Sequence, residues 1–149
     1  MTNAPRSLLT ARAAAQVVAV GVGSVFLLVG ILGFVPGVTT GMDGFTMFGH
    51  HSTALLLGVF SVSGLHNVVH LLFGVAGLVL SRGPGGARVF LLGGGAVYLV
   101  LWLFGLIVDQ GSAANFVPVN TADNWLHLAL GAAMIALGVL TRQRVASTR

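Results

Sequence analysis

Four unbroken apolar segments dominate this chain, and each is close to the ~20 residues a helix needs to cross a bilayer. They run from about Ala15 to Val35, Val59 to Leu80, Ala87 to Val108 and Asn124 to Thr141. The runs are continuous rather than alternating, which argues for helices and against strands. Little chain is left over. Only 7% of the 149 residues are charged and 56% are hydrophobic, whereas an ordinary soluble domain is about 25% charged. So few charges cannot cover a water-facing surface, which excludes a soluble enzyme and a disordered tail. The absence of cysteine excludes a disulfide scaffold, thiolate metal sites and thiol catalysis. The expected fold class is an all-α integral membrane protein, one four-helix membrane domain over residues 1–149.

The charges orient the four spans. All seven basic residues are arginine. Arg6 and Arg12 precede the first segment, Arg82 and Arg88 bracket the Gly/Pro turn between the second and third, and Arg142, Arg144 and Arg149 come after the fourth. Asp43, Asp109 and Asp123 all fall at the other end. The positive-inside rule then predicts both termini in the cytoplasm, with short tails 1–14 and 142–149 and two extracytoplasmic loops, in a bacterial plasma membrane. The arginines are scattered singly, not gathered in a basic patch, which excludes nucleic acid as a partner. Arg6 and Arg12 resemble the charged start of a signal peptide. The apolar run after them is long and no A-x-A-like site ends it, so the first segment reads as an uncleaved span. The partners expected are the lipid bilayer and, beyond it, a homo-oligomer or a larger membrane complex. In the longest link, 36–58, the stretch Thr53-Ala-Leu-Leu-Leu-Gly-Val-Phe60 is too short to span. It is expected to be an interfacial helix or an extension of the second helix.

The second half of the chain repeats the first. Asn67-Val-Val-His70-Leu71-Leu-Phe-Gly74 aligns with Asn124-Trp-Leu-His127-Leu128-Ala-Leu-Gly131. Gly23-Ser-Val-Phe26 aligns with Gly95-Ala-Val-Tyr98, and Gly33 with Gly105. Glycine and leucine matches alone carry little weight in apolar sequence, but a shared Asn-x-x-His does. The expectation is two tandem helical hairpins, 15–80 and 87–141, forming a parallel internal repeat whose pseudo-two-fold axis lies along the membrane normal. Gly30, Gly74 and Gly131 are expected at helix seams, where small residues allow close approach in lipid.

The residues that carry chemistry are His66, Asn67, His70, Asp123, Asn124 and His127. They lie within the first turns of the second and fourth helices, near the outer interface. His66 and His70 share a helix face. Under the repeat His66 corresponds to Asp123, so the two are expected to face each other across the axis. Asn124 and Asp123 are candidates to cap the fourth helix. Three readings of this polar layer stand side by side. It is a structural layer of interhelical hydrogen bonds; or His70 and His127 hold a haem or a transition metal as a membrane redox site; or the layer begins a proton or small-solute path. Met42, Met47, His50 and His51 are soft or borderline ligand types, but they match no motif and read as exposed loop. Trp125 reads as an interfacial anchor and Trp102 as packing.

Leu65-His-Asn-Val-Val-His-Leu-Leu-Phe-Gly-Val-Ala-Gly-Leu78, together with Asn115-Phe-Val-Pro-Val-Asn-Thr-Ala-Asp-Asn-Trp-Leu-His-Leu-Ala-Leu-Gly131, resembles an actinobacterial membrane family catalogued as domain of unknown function 4383. The likeness runs from about Ala15 to Val139, and the second motif is the more specific. The resemblance implies a four-helix integral membrane protein, no established activity and no catalytic residues to carry over. The chain itself has no P-loop, G-x-S-x-G or H-E-x-x-H. It reads as a small structural or accessory membrane protein of unknown activity, more naturally a non-enzyme, with cofactor binding as the alternative.

Overall fold

The computed structural model describes residues 6–141 of the chain, with side chains from residue 14 onward. Four helices carry the fold: α1 (Arg6–Leu32), α2 (Gly64–Leu80), α3 (Pro84–Ile107) and α4 (Thr121–Leu140). Three of them are long and apolar enough to cross a membrane: Ala14–Leu32 within α1, then α3 and α4. The remaining apolar helix, α2, has 17 residues. Arg142, Arg144, Arg149 and the tail they belong to lie outside the described residues, as do residues 1–5.

α1 packs along α2 and α3 along α4, with lighter contacts of α3 on α1 and α2. The seams are close because glycines form them. Gly74 lies against the backbone of Gly23 and Leu27, and Gly131 against the Gly95 carbonyl and the Leu99 side chain. Gly30 sits under Leu71 and the Asn67 carbonyl. All three glycines stand at seams, as expected of small residues that allow close approach. Between the α1–α2 pair and the α3–α4 pair a core of Phe26, Phe90, Tyr98, Leu91 and Met134 closes on small residues Ala15, Ala19 and Ala87. Its aromatic rings meet edge-on or stacked, with Phe73 and Tyr98 perpendicular and Phe26 and Tyr98 at 5.3 Å. Such pairs add roughly 0.5–1.5 kcal/mol each beyond the area they bury.

Two helix ends are closed from the neighbouring helix. Gln16 on α1 donates to the carbonyls of Ser81 and Arg82 at the end of α2. Arg88 on α3 donates through Nε to the carbonyl of Gly138, near the end of α4. Carbonyls in the last turn of a helix have no partner within it, and these side chains provide one.

The first loop departs from expectation. Instead of an interfacial helix or an extension of α2, the 53–60 stretch contributes to a small antiparallel sheet, β1 (Thr39–Thr40), β2 (Leu55–Leu56) and β3 (Phe60–Ser61), in that spatial order. A single 3-10 turn, Met42–Gly44, lies between β1 and β2. Strands were not expected anywhere. The physical reason is Leu57-Gly58, both in the left-handed region at φ 54 and 71, which reverses the chain and stops a helix from running back from α2. α2 therefore starts at Gly64 and not near Val59. Ser63 takes an extended backbone and its hydroxyl accepts from the amide of His66. Ala54, Leu56 and Val62 are buried beneath the sheet against Val29 and Leu32 of α1 and Phe45 of the loop, capping that end of the bundle.

Candidate functional site

The polar layer is built where α2 and α4 begin. α4 opens with a capping box: Asn120 accepts from the amide of Asp123, and Asp123 accepts in return from the amide of Asn120. The cap is therefore Asn120. Asp123 completes it from the third helical position, and Asn124 takes no part. In both helices a short polar side chain one residue before the first turn supplies an acceptor for an otherwise unpaired amide.

His66 and Asp123 do not pair with each other. The same Asp123 Oδ2 that closes the capping box also accepts the amide of Ser61 on β3, at 3.0 Å. His66 Nδ1 lies 3.3 Å from the carbonyl of Pro118, in the second loop, which makes that nitrogen the donor. Each group thus crosses to the loop of the other half. A carboxylate can only accept, and Ser61 offers an N–H; an imidazole N–H can donate, and Pro118 offers a carbonyl. Asn115 fastens the second loop from within, donating to Gln110 and Val119 carbonyls and accepting from the Val119 amide.

The two asparagines are placed differently from the caps. Asn67 is fully buried against Gly33, and Asn124 is buried against Gly105. Each amide therefore fills the space beside a glycine at the end of the partner helix. Asn67 Oδ1 and Nδ2 and Asn124 Oδ1 are enclosed with no hydrogen-bond partner. The interhelical bonds expected of them are not made.

His70 and His127 are enclosed by aromatic rings. His70 lies 5.6 Å from Phe26 and 4.5 Å from His66, and His127 meets Tyr98 edge-on at 5.2 Å. Nδ1 of both His70 and His127 is buried without a partner. His66, His70, Tyr98 and His127 together form a wall shared by two cavities. One, about 390 Å³, lies between α2, α3 and the 116–119 segment, faced by Val97, Val100, Phe104 and Phe116. The other, about 100 Å³, lies between α1, α4 and the sheet, faced by Leu56, Phe60, Leu126 and Asp123. Among the described residues no three His, Asp or Glu are grouped so as to hold a metal ion. In the 41–51 loop the rings of His50 and His51 are 3.9 Å apart, while Met47 is exposed. Trp125 is 62% exposed at the start of α4, and Trp102 is half-buried with Nε1 unpartnered.

Sequence reasoning missed Asn120, Ser61, Pro118 and Tyr98 as members of this site. Two of them carried a signal: Asn120 is a preferred cap type three residues before Asp123, and Tyr98 is the only tyrosine of the chain and stands at the position of Phe26 in the alignment of the halves. Ser61 and Pro118 act through backbone atoms, for which no side-chain pattern exists.

The model of a family described as Domain of unknown function (DUF4383) matches residues 16–140. Comparison with curated proteins and with solved structures finds no match.

Proposed function

This chain belongs to the DUF4383 family, and from that premise we propose a small structural or accessory membrane protein: two tandem hairpins, both termini cytoplasmic, locked together near the extracytoplasmic face through His66 and Asp123 of the polar layer. The apolar length of α1, α3 and α4 supports the membrane location. α2 reaches the lower limit of about 17 residues for a span, and the arginine turn 82–88 and the three aspartates at opposite ends support an even number of crossings.

The repeat is supported contact by contact. Ser63 caps α2 where Asn120 caps α4. Gly33 on Asn67 matches Gly105 on Asn124, and Gly74 on Gly23 matches Gly131 on Gly95. Phe26 on His70 matches Tyr98 on His127. Gln16 on the Ser81 carbonyl matches Arg88 on the Gly138 carbonyl. All of these keep one constant step between α1 and α3 and another between α2 and α4. The observation that carries the structural reading is the reciprocal pair, His66 to Pro118 and Asp123 to Ser61. Under the repeat these are the same contact made twice, in opposite senses, which is how a two-fold interface is built. Beneath the layer the Phe26, Phe73, Phe90 and Tyr98 rings close the way inward, which favours a plug over a conducting path.

Reporter fusions test this disposition. Fusions after Ser81 and at the C-terminus report cytoplasm, and fusions at Gly44 and Ala113 report the outside; a cytoplasmic signal at Gly44 overturns the model. A second reading, ligand or cofactor binding at His70 and His127, is favoured because both residues line a cavity and both keep an enclosed Nδ1 without a hydrogen-bond partner. An optical spectrum and metal analysis of the purified protein test its haem and metal forms: a Soret band or stoichiometric metal that His70→Ala and His127→Ala abolish upholds them, and its absence from protein taken from its native membrane removes them.

A further inference from the structure

The two cavities that share the histidine wall are counterparts under the repeat. Val29, Val62, Asp123 and Leu126 face the smaller one where Leu101, Val119, His66 and Val69 face the larger. They have diverged in two respects. The smaller is narrowed by Leu56 and Phe60 of the sheet and carries a carboxylate; the larger, about 390 Å³, is walled by apolar side chains, imidazoles and one phenol, with no arginine or aspartate. A cavity of that size falls in the range of small-molecule sites, which combine an apolar lining with a few converging polar groups.

We propose that the larger cavity binds a membrane-dissolved aromatic lipophile with a neutral oxygen head, of the quinone or phenol class, the head resting between His70 and His127. Three features select this chemistry. The outer wall is open to the membrane, since Val97 and Val100 on α3 are 46% and 64% exposed on a helix long and apolar enough to span, so a ligand enters from lipid and needs an apolar body. The wall offers no arginine or carboxylate, so an ionised head would be desolvated unpaired, at a cost of several kcal/mol. The inner wall includes two imidazoles, each with an enclosed Nδ1 that has no partner, so a head group reaches that capacity only as the ring turns toward the cavity. An imidazole donates or accepts according to tautomer, which suits a carbonyl and a hydroxyl equally, and Tyr98 and Phe104 supply aromatic faces for a flat ring. This inference deepens the ligand-binding reading of His70 and His127 and assumes the membrane disposition. The fusions report disposition and a binding assay reports the cavity, so each fails separately.

The assay uses the full-length protein in lipid nanodiscs and measures the saturable binding of menadione, a naphthoquinone, above that of empty discs. Saturable binding near one per chain is expected. His127→Phe and His70→Phe keep a ring but remove the hydrogen bond, and each weakens binding by about two- to tenfold, the equivalent of one net hydrogen bond. Methylnaphthalene, which lacks the oxygens, binds more weakly by a similar factor. Val100→Trp fills the mouth and abolishes saturable binding, whereas Leu103→Trp, 50% exposed on the same helix but off the cavity wall, leaves it intact. Should Val100→Trp not fold, Val97→Phe narrows the same mouth. No saturable component, equal affinity for methylnaphthalene, binding unchanged in a folded mouth variant, or a Soret band showing haem already bound to the histidines would each overturn the proposal.

Discussion

Gly74 gives the sharpest test of how α1 is held against α2. A Cβ built there would lie 2.7 Å from the amide nitrogen of Leu27 and 2.8 Å from the carbonyl oxygen of Gly23. Both are backbone atoms of α1, so no rotamer change relieves the contact. Restoring ordinary van der Waals spacing at the Gly23 oxygen requires α1 and α2 to part by about 0.6 Å. A gap of that size forfeits roughly a quarter of the dispersion energy of each contact along the seam. Overpacking of this kind costs about 1–3 kcal/mol, while alanine in place of glycine regains about 0.5–1 kcal/mol of helix propensity. Gly74→Ala therefore loses about 1–2 kcal/mol net. Gly21, where a Cβ would meet nothing within 4 Å, is the control, and Gly21→Ala keeps the propensity gain of about 0.5 kcal/mol. The two variants should differ by about 2 kcal/mol, or some thirtyfold in the folding equilibrium. Reversible unfolding in mixed detergent micelles, monitored by circular dichroism, measures the difference. Gly131→Ala falls between them, because its nearest backbone contact, the Gly95 oxygen, lies at 3.0 Å and its closer contact, the Leu99 side chain at 2.8 Å, can turn aside. If Gly74→Ala were as stable as Gly21→Ala, the α1–α2 seam would not be as close as described and the reasoning would fail.

Asp123→Ala strips an acceptor from two amides, those of Ser61 and Asn120, and should cost about 2 kcal/mol in the same unfolding experiment; Asp123→Asn retains an acceptor oxygen and should cost clearly less. An equal loss in both would mean that charge, not the shared acceptor, matters at this position. Leu57 holds a left-handed backbone, φ 54, with its side chain 64% exposed. Leu57→Gly should stabilise the loop by about 1 kcal/mol, read as slower proteolysis between β2 and β3, and faster cleavage would refute the turn.

The helices were legible because membrane-crossing length and hydropathy are summed over some twenty residues, and single errors average out. Their ends were less so. Val59, Phe60 and Val62 are as apolar as the helix beyond them, and only Ser63 marks where α2 begins. The sheet was hidden because β2 and β3 are two residues each, below the length at which alternation can be seen. Among the polar residues, His66, Asn67, His70, Asp123, Asn124 and His127 stood out for being polar in apolar surroundings, and all six sit at the same end of the bundle. What they touch was not legible. His66 and Asp123 bond to backbone atoms of loops far away in sequence, and Asn67 and Asn124 pack on glycines. A pattern of residue types records neither.

The crossed contacts of His66 and Asp123 bear on whether the two hairpins of the proposed repeat are interchangeable. If the hairpins descend from one ancestor, that ancestor paired with a copy of itself through two equal contacts. Here the contacts are complementary instead, an N–H donor meeting Pro118 and an acceptor meeting Ser61. Two copies of the second hairpin would set a carboxylate before Pro118, which has no N–H to give. Two copies of the first would leave the Ser61 amide without the carboxylate that receives it. On that descent the halves have become a lock and its key: each hairpin fits the other, and neither fits a copy of itself.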